Sequence, residues 1–284
     1  MKKIIGILLA ALMLSGCLSV YALPAATADI NVTFSDNDGK IILVQEKITV
    51  TDRNGDGKID IDEALYATHE AKYEGGAAAG YASAEGQFGL SVTKLWGDTS
   101  GNFGYYVNNK MANGPTDELK SGDYLNAFVY QVCEYDPITY ETTMDNYSFF
   151  DKFTATVTEG ESLTVTLTKV VFDDQFKPQN EIVAGATIII DGEKTNFTTG
   201  EDGKVTIPMD KAGKYLISAK KTDDILVPPV LKVTVNEKAQ TTPATTGDDG
   251  AKSPKTGDDI SLLIYMMAIS GALAVFAAKK VYAK

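Results

Sequence analysis

Asp52-Arg53-Asn54-Gly55-Asp56-Gly57-Lys58-Ile59-Asp60-Ile61-Asp62-Glu63 is the stretch on which the reading of the chain turns. Side-chain oxygens stand at its first, third, fifth, ninth and twelfth positions, and Gly55 and Gly57 permit sharp bends. The residues before it, Ile48–Thr51, are β-branched throughout and read as a strand. Those after it, Ala64–Glu74, read as a helix closed by Gly75-Gly76. A strand that enters a polar corner and leaves as a helix predicts an α+β unit at the front of the chain.

The spacing resembles the twelve-residue EF-hand loop. That resemblance implies a bound Ca2+ held by Asp52, Asn54, Asp56, the Lys58 backbone carbonyl, Asp60 and Glu63. A hard cation takes about six to seven oxygens at about 2.4 Å, which a loop curled around it supplies. No amphipathic helix precedes the loop and no second loop pairs with it, so the expected role is to lock a corner, not to open a helix pair.

Around this corner, Asn31–Phe34 and Ile41–Val44 flank Asp36-Asn37-Asp38-Gly39 as a hairpin. His69, the only histidine, is expected to be a solvated helix residue. A Ser-His-Asp or Cys-His set would have to use this residue, and nothing around it in the sequence suggests one. The chain has many acidic residues, so a carboxylate-pair hydrolase remains an alternative. Aromatics gather from Trp96 onward. Gly104-Tyr105-Tyr106-Val107-Asn108-Asn109 and Leu119-Lys120-Ser121-Gly122-Asp123-Tyr124 resemble the C-terminal domain of transcobalamin-like proteins over Gly89 to Tyr130. The resemblance implies a β-grasp-like head and, as an alternative function, a receptor for a flat corrinoid (cobalamin) ligand stacked on Trp96, Tyr105 or Tyr106. Ordinary cross-strand packing of those rings is the competing reading. Cys133, in an apolar run, is expected to be buried and inert.

From Val165 on, short alternating runs at Ala186–Ile190, Lys204–Ile207, Lys214–Lys220 and Leu231–Val235, with Asp-Gly turns between, predict an Ig-like β-sandwich spacer. Gly185-Ala186-Thr187, Thr198–Val205 and Gly213-Lys214-Tyr215 resemble the repeat domains of Gram-positive adhesins and pilins, some of which join a lysine to an asparagine. Lys169 and Asn236 would be the partners here. Ala219 stands where the assisting acid would follow, so no such bond is expected.

The two ends place the chain outside the cell. Lys2 and Lys3 followed by Ile4–Leu14 form a secretory signal. Leu14-Ser15-Gly16-Cys17 resembles a lipobox, while Ala26-Thr27-Ala28 and Val20-Tyr21-Ala22 are sites of ordinary cleavage; removal of residues 1–28 is the expectation. At the other end Ser253-Pro254-Lys255-Thr256-Gly257-Asp258 is followed by the uncharged run Ile260–Ala278 and by Lys279, Lys280 and Lys284. As a helix that run would be about 28 Å long, enough to cross a bilayer with the lysines inside. The order is similar to the sorting signal of Gram-positive wall proteins (LPXTG type, with Ser253 for leucine). It implies cleavage by sortase between Thr256 and Gly257 and covalent transfer to peptidoglycan. Removing both ends takes away five lysines and two aspartates and deepens the net charge from −12 to −15. With Arg53 the only arginine, such a surface repels phosphate backbones and excludes nucleic acid as a partner.

The organisation expected is therefore mainly β with an α+β component. It comprises a signal (1–28), a β-grasp-like α+β head (29–164), an Ig-like sandwich (165–236), a disordered linker (237–259), a transmembrane helix (260–278) and a basic tail (279–284). The expected function is non-enzymatic: a cell-wall-anchored, calcium-binding surface module that binds a host or neighbour-cell protein or glycan.

Overall fold

The computed structural model describes residues 25–138 and 142–239. The signal segment with Cys17, the sorting motif with Thr256 and Gly257, the apolar run and the basic tail lie outside the described residues. No helix among the described residues is long and apolar enough to cross a membrane. The fold is mostly β.

The first lobe opens with β1 (Thr27–Ser35) and β2 (Ile41–Thr51), an antiparallel hairpin. Helix α1 (Ile61–Lys72) and the single turn α2 (Gly76–Gly80) follow, then the small hairpin β3 (Ala82–Gly86) and β4 (Gly89–Lys94). Strands β5 (Phe103–Val107), β6 (Lys110–Met111) and β7 (Tyr124–Val129) complete the main sheet in the order β2-β1-β7-β5-β6. β1 and β7 run parallel at its centre. The apolar side chains of this sheet close over Ile61, Ala64 and Leu65 of α1 and over Leu95, forming one core.

Two strands expected at Ile41–Val44 and Ile48–Thr51 are one strand, because a bulge lets it continue. The register slips opposite Thr33, and Gln45 takes a left-handed φ of 45°. The helix begins three residues earlier than expected, because Asp60 caps it: Oδ1 accepts the Glu63 N–H at 2.9 Å.

The second lobe is a two-sheet sandwich. Beyond the short hairpin β8 (Cys133–Tyr135) and β9 (Thr142–Met144) come β10 (Asn146–Phe150), β11 (Thr154–Thr158), β12 (Glu161–Phe172) and β13 (Pro178–Ile182). They are followed by β14 (Thr187–Ile190), β15 (Glu193–Thr198), β16 (Lys204–Met209), β17 (Gly213–Lys220), β18 (Leu226–Val227) and β19 (Leu231–Asn236). One sheet runs β13-β12-β10-β18, with β16 also on β12; the other runs β11-β19-β17-β14-β15. Both bury their inner faces in a core that includes Leu163, Val165, Ile188, Ile207, Ile217 and Val233.

The division drawn at 164/165 falls inside β12, which runs unbroken through it. Phe150 belongs to the sandwich core, so that lobe draws strands from well before Val165. β10 and β11 pair in parallel with β18 and β19, which puts their partners some 80 residues downstream, beyond the reach of local pattern. A third cluster joins the lobes: Tyr106 and Phe128 from the first, with Tyr147, Val170 and Val227 from the second. Gly104 permits it, since a Cβ there would stand 2.2 Å from the Phe128 ring.

Candidate functional site

The corner between β2 and α1 carries the acidic loop, and its geometry follows from backbone demand. Gly55 and Gly57 adopt left-handed φ of 77° and 84°. Asp52 spans the loop, accepting the Gly55 N–H at 2.6 Å through Oδ1 and the Gly57 N–H at 2.8 Å through Oδ2. Asn54 Oδ1 takes the Asp56 N–H, and Asp56 Oδ1 takes the Lys58 N–H, each at 2.8 Å. Arg53 turns out of the loop and lies over the Tyr66 ring of α1, 3.3 Å from its centroid.

Glu63 behaves differently from the other acids. It is 3 % exposed. Its Oε1 accepts the N–H groups of Arg53 and Asn54, which folds the helix start back onto the loop entrance. Its Oε2 is buried and has no hydrogen-bond partner. A buried carboxylate oxygen without a donor costs about 1–3 kcal/mol or more. Asp60 is in a related position: burial, and then the charges of Glu63, Asp62 and Asp56, push its carboxyl up to about 6. The corner thus concentrates negative charge with no side-chain cation to offset it in the hydrogen bonds it makes.

The loop fits a hard cation in donor type, number and order, and the Glu63 Oε2 orphan is the position where one would be felt most. Among the described residues no three Asp, Glu, His or Cys side chains already converge as a ligand cluster. The Asp52, Asn54 and Asp56 oxygens are instead engaged with the loop's own N–H groups.

The back of the loop is held by a strap that sequence reading missed. Leu119 N–H donates to Ile59 O at 2.7 Å, Ile61 N–H to Asp117 O at 3.2 Å and Asp62 N–H to Pro115 O at 2.8 Å. Asp60 and Glu118 form an isolated antiparallel bridge. The residues that a paired loop would occupy are thus taken by Pro115–Leu119 of the same chain. No local signal marks this, because the contact spans more than fifty residues.

Of the three candidate stacking aromatics, Trp96 lies apart from Tyr105 and Tyr106. Trp96 stacks on Phe34 at 4.8 Å and meets Tyr73 edge-on at 5.2 Å. Tyr106 is buried between the lobes, stacked on Tyr147 at 3.7 Å. Tyr105, the next residue on β5, faces the other side of the sheet. Both tyrosines also border an open cleft of about 470 Å3 between β4, β5 and the strap.

His69 is not solvated. It is 1 % exposed and stands beneath the turn Leu95–Asp98. Lys169, expected to lack an acid, has one: Asp224 Oδ2 lies 2.8 Å from Nζ, and Asp224 Oδ1 accepts the Asn146 amide at 2.7 Å. The acid comes from the turn after β17, not from the strand position of Ala219, so a search along that strand could not find it. Asn236 is elsewhere, paired with Thr158 in the other sheet. Cys133 is half-buried, not enclosed.

No protein-family model matches the chain, and no characterised protein matches it in sequence. Among solved structures, it is similar to the N-terminal four Ig domains of Dscam1 isoform 9.44 at 10% identity and a TM-score of 0.21, over 56% of this chain and 41% of that one. It is also similar to the D0-D1 domain of intimin at 17% identity and a TM-score of 0.24, over 74% of this chain and 97% of that one. The chain thus spans less than half the length of the Dscam1 structure. Likenesses this loose carry no argument about function.

Proposed function

We propose that the chain is a secreted surface protein, sorted to the cell wall, whose first lobe is a non-enzymatic binding module stiffened by one calcium ion in the Asp52–Glu63 loop. The sandwich lobe would hold that module outward. The carrying observation is the buried, partnerless Oε2 of Glu63 at the twelfth position of a loop whose other donors are in order. Asp52, Asn54, Asp56, Asp60, Glu63 and the Lys58 carbonyl would hold the ion, which would offset the excess of acids over Arg53 and Lys58 in this corner. Sorting rests on Ser253–Asp258 and the apolar run after it, with sortase and peptidoglycan as the partners they imply. A binding role is favoured over the hydrolase by the open cleft, where Asp117 is the only carboxylate among the lining residues. For the corrinoid alternative, Trp96 is stacked on Phe34 and Tyr106 on Tyr147, which leaves Tyr105 at the cleft as the ring not already stacked on a neighbour.

Calcium is tested by melting the full-length chain with the ion and with chelator. At calcium about 100-fold above its Kd, binding to the folded state alone adds about 2.7 kcal/mol. That shifts the melting temperature by about 5–10 °C for a chain of this size. Glu63→Gln is expected to abolish the shift, and equal melting of the unaltered chain in both buffers would refute the site. Sorting is tested by the intact mass of wall-released protein, which should end at Thr256 with a wall remnant attached.

A further inference from the structure

The cleft between β4 and β5 is bordered by strand edges, not by the face of a sheet. Four successive residues of β4, Gly89–Val92, and four of β5, Phe103–Tyr106, line it. Side chains alternate along a strand, so a run that includes both parities lies along its edge. Among the described residues β4 pairs with β3 alone, which leaves its other edge without a strand. β6 pairs with β5 at Tyr106 and Val107, and the Ala112 N–H just beyond it is given to Tyr105 O at 3.0 Å, so that Phe103 and Gly104 are the residues of β5 with a strand partner on the β7 side only. Two incompletely paired edges therefore look onto one opening.

From this geometry we infer that the cleft takes an extended polypeptide strand, added between β4 and β5 so that the small hairpin and the main sheet become continuous. The occupant is a peptide of another protein, neutral or basic, with apolar residues at alternate positions. Backbone N–H and C=O groups of a strand satisfy both edges at once, which side-chain recognition alone does not. Phe88, 95 % exposed at the hairpin tip, and Met111, 50 % exposed on β6, flank the opening and would cover apolar side chains. The lining has Asp117 and no basic residue, and the chain as a whole carries −12, so acidic partners are repelled. Gly114 keeps the rim open: its φ is not left-handed, and a Cβ there would meet nothing within 4 Å.

The inference rests on reading the first lobe as a binding module, and it does not need the calcium ion. The melting experiment can fail without touching it, and the titration below can fail without touching calcium. The probe is the capped heptapeptide Lys-Thr-Val-Thr-Val-Thr-Lys, titrated into the full-length chain with calcium present. Saturable binding is expected, with hydrogen-exchange protection appearing in Gly89–Val92 and, on β5, at Phe103 and Tyr105, whose N–H groups face away from β7. Methylating alternate backbone nitrogens of the probe should weaken it about tenfold or more, because the side chains remain but the strand donors are gone. Gly114→Leu should weaken binding comparably at an unchanged melting temperature, since it fills the rim without straining the fold. No saturation, equal binding of the methylated probe, or protection confined to other strands would each overturn the inference.

Discussion

Two hydrogen bonds fix the protonation state of His69. The Trp96 backbone N–H can only donate, so Nε2, 2.9 Å away, accepts. The proton then sits on Nδ1 and is given to Leu65 O at 2.6 Å. A second proton on Nε2 would point at the Trp96 N–H, and burial already lowers the histidine's pKa. Trp96 needs this anchor because its φ is 53°, in a turn where Gly97 follows at 82°. The sign follows from linkage. Above the unfolded value of about 6.5 neither state is protonated; below it the unfolded chain takes a proton that the folded chain refuses. Stability is therefore present at neutral pH and falls as the pH drops toward the depressed folded value, by at most about 1.4 kcal/mol per pH unit. Asp60 opposes this, because its raised carboxyl makes the fold gain stability as the pH falls through about 6. Comparison with His69→Asn separates the two. Urea midpoints at pH 7.5 and 5.5 should drop further in the unaltered chain than in the variant, and equal drops would show that His69 is protonated in the fold.

At the scale of the element, β1 bears on the cleavage site expected for the proposed secretory signal. Thr27 pairs with Thr51 and Ala28 with Val50, and Ala28 is buried. Ala26 O accepts the Asp52 N–H at 2.9 Å, at the first residue of the loop. Cleavage after Ala28 would strip two residues from a central strand and free the loop's entrance. Cleavage after Val20-Tyr21-Ala22 leaves all of this in place. N-terminal sequencing of the secreted chain should thus begin upstream of Ala26, and a start at Asp29 would refute the argument. The same strand shows what the sequence could and could not convey. The hairpin, the loop and the helix were legible, because glycines, a cap and β-branched runs act within a dozen residues. The Gln45 bulge was not, because its cause lies in the other lobe: its amide donates to Phe153 O at 2.8 Å. Nor was the enclosure of His69, since that depends on a turn 27 residues downstream closing over α1. At the acidic loop the donors could be read from spacing alone, whereas the strap behind them and the isolation of Glu63 Oε2 exist only once the chain has folded.

For the molecule as a whole, the shared aromatic cluster decides whether the lobes behave as one. Tyr147 is fully enclosed at the junction, stacked on Tyr106, with its hydroxyl donating to Asn109 Oδ1 at 2.9 Å and accepting the Asn126 amide at 2.7 Å. Phe153 stacks on Tyr124 at 3.9 Å beside it. These contacts bring an aromatic core and satisfied hydrogen bonds across the junction, so opening it would expose rings and strand buried polar groups. Domains joined by small polar interfaces move independently; this junction instead predicts a single cooperative melt. Tyr147→Ala should remove about 3–5 kcal/mol, and the loss should fall on the coupling, splitting the calorimetric transition in two. Tyr147→Phe keeps the stack and loses only the hydroxyl, at a cost of about 1–3 kcal/mol, with one transition retained. Two transitions in the unaltered chain would mean that the cluster does not couple the lobes. A rigid junction also has a mechanical corollary: a force applied to the sandwich would reach the first lobe through packed rings, and the cleft between β4 and β5 would keep its orientation relative to the sandwich.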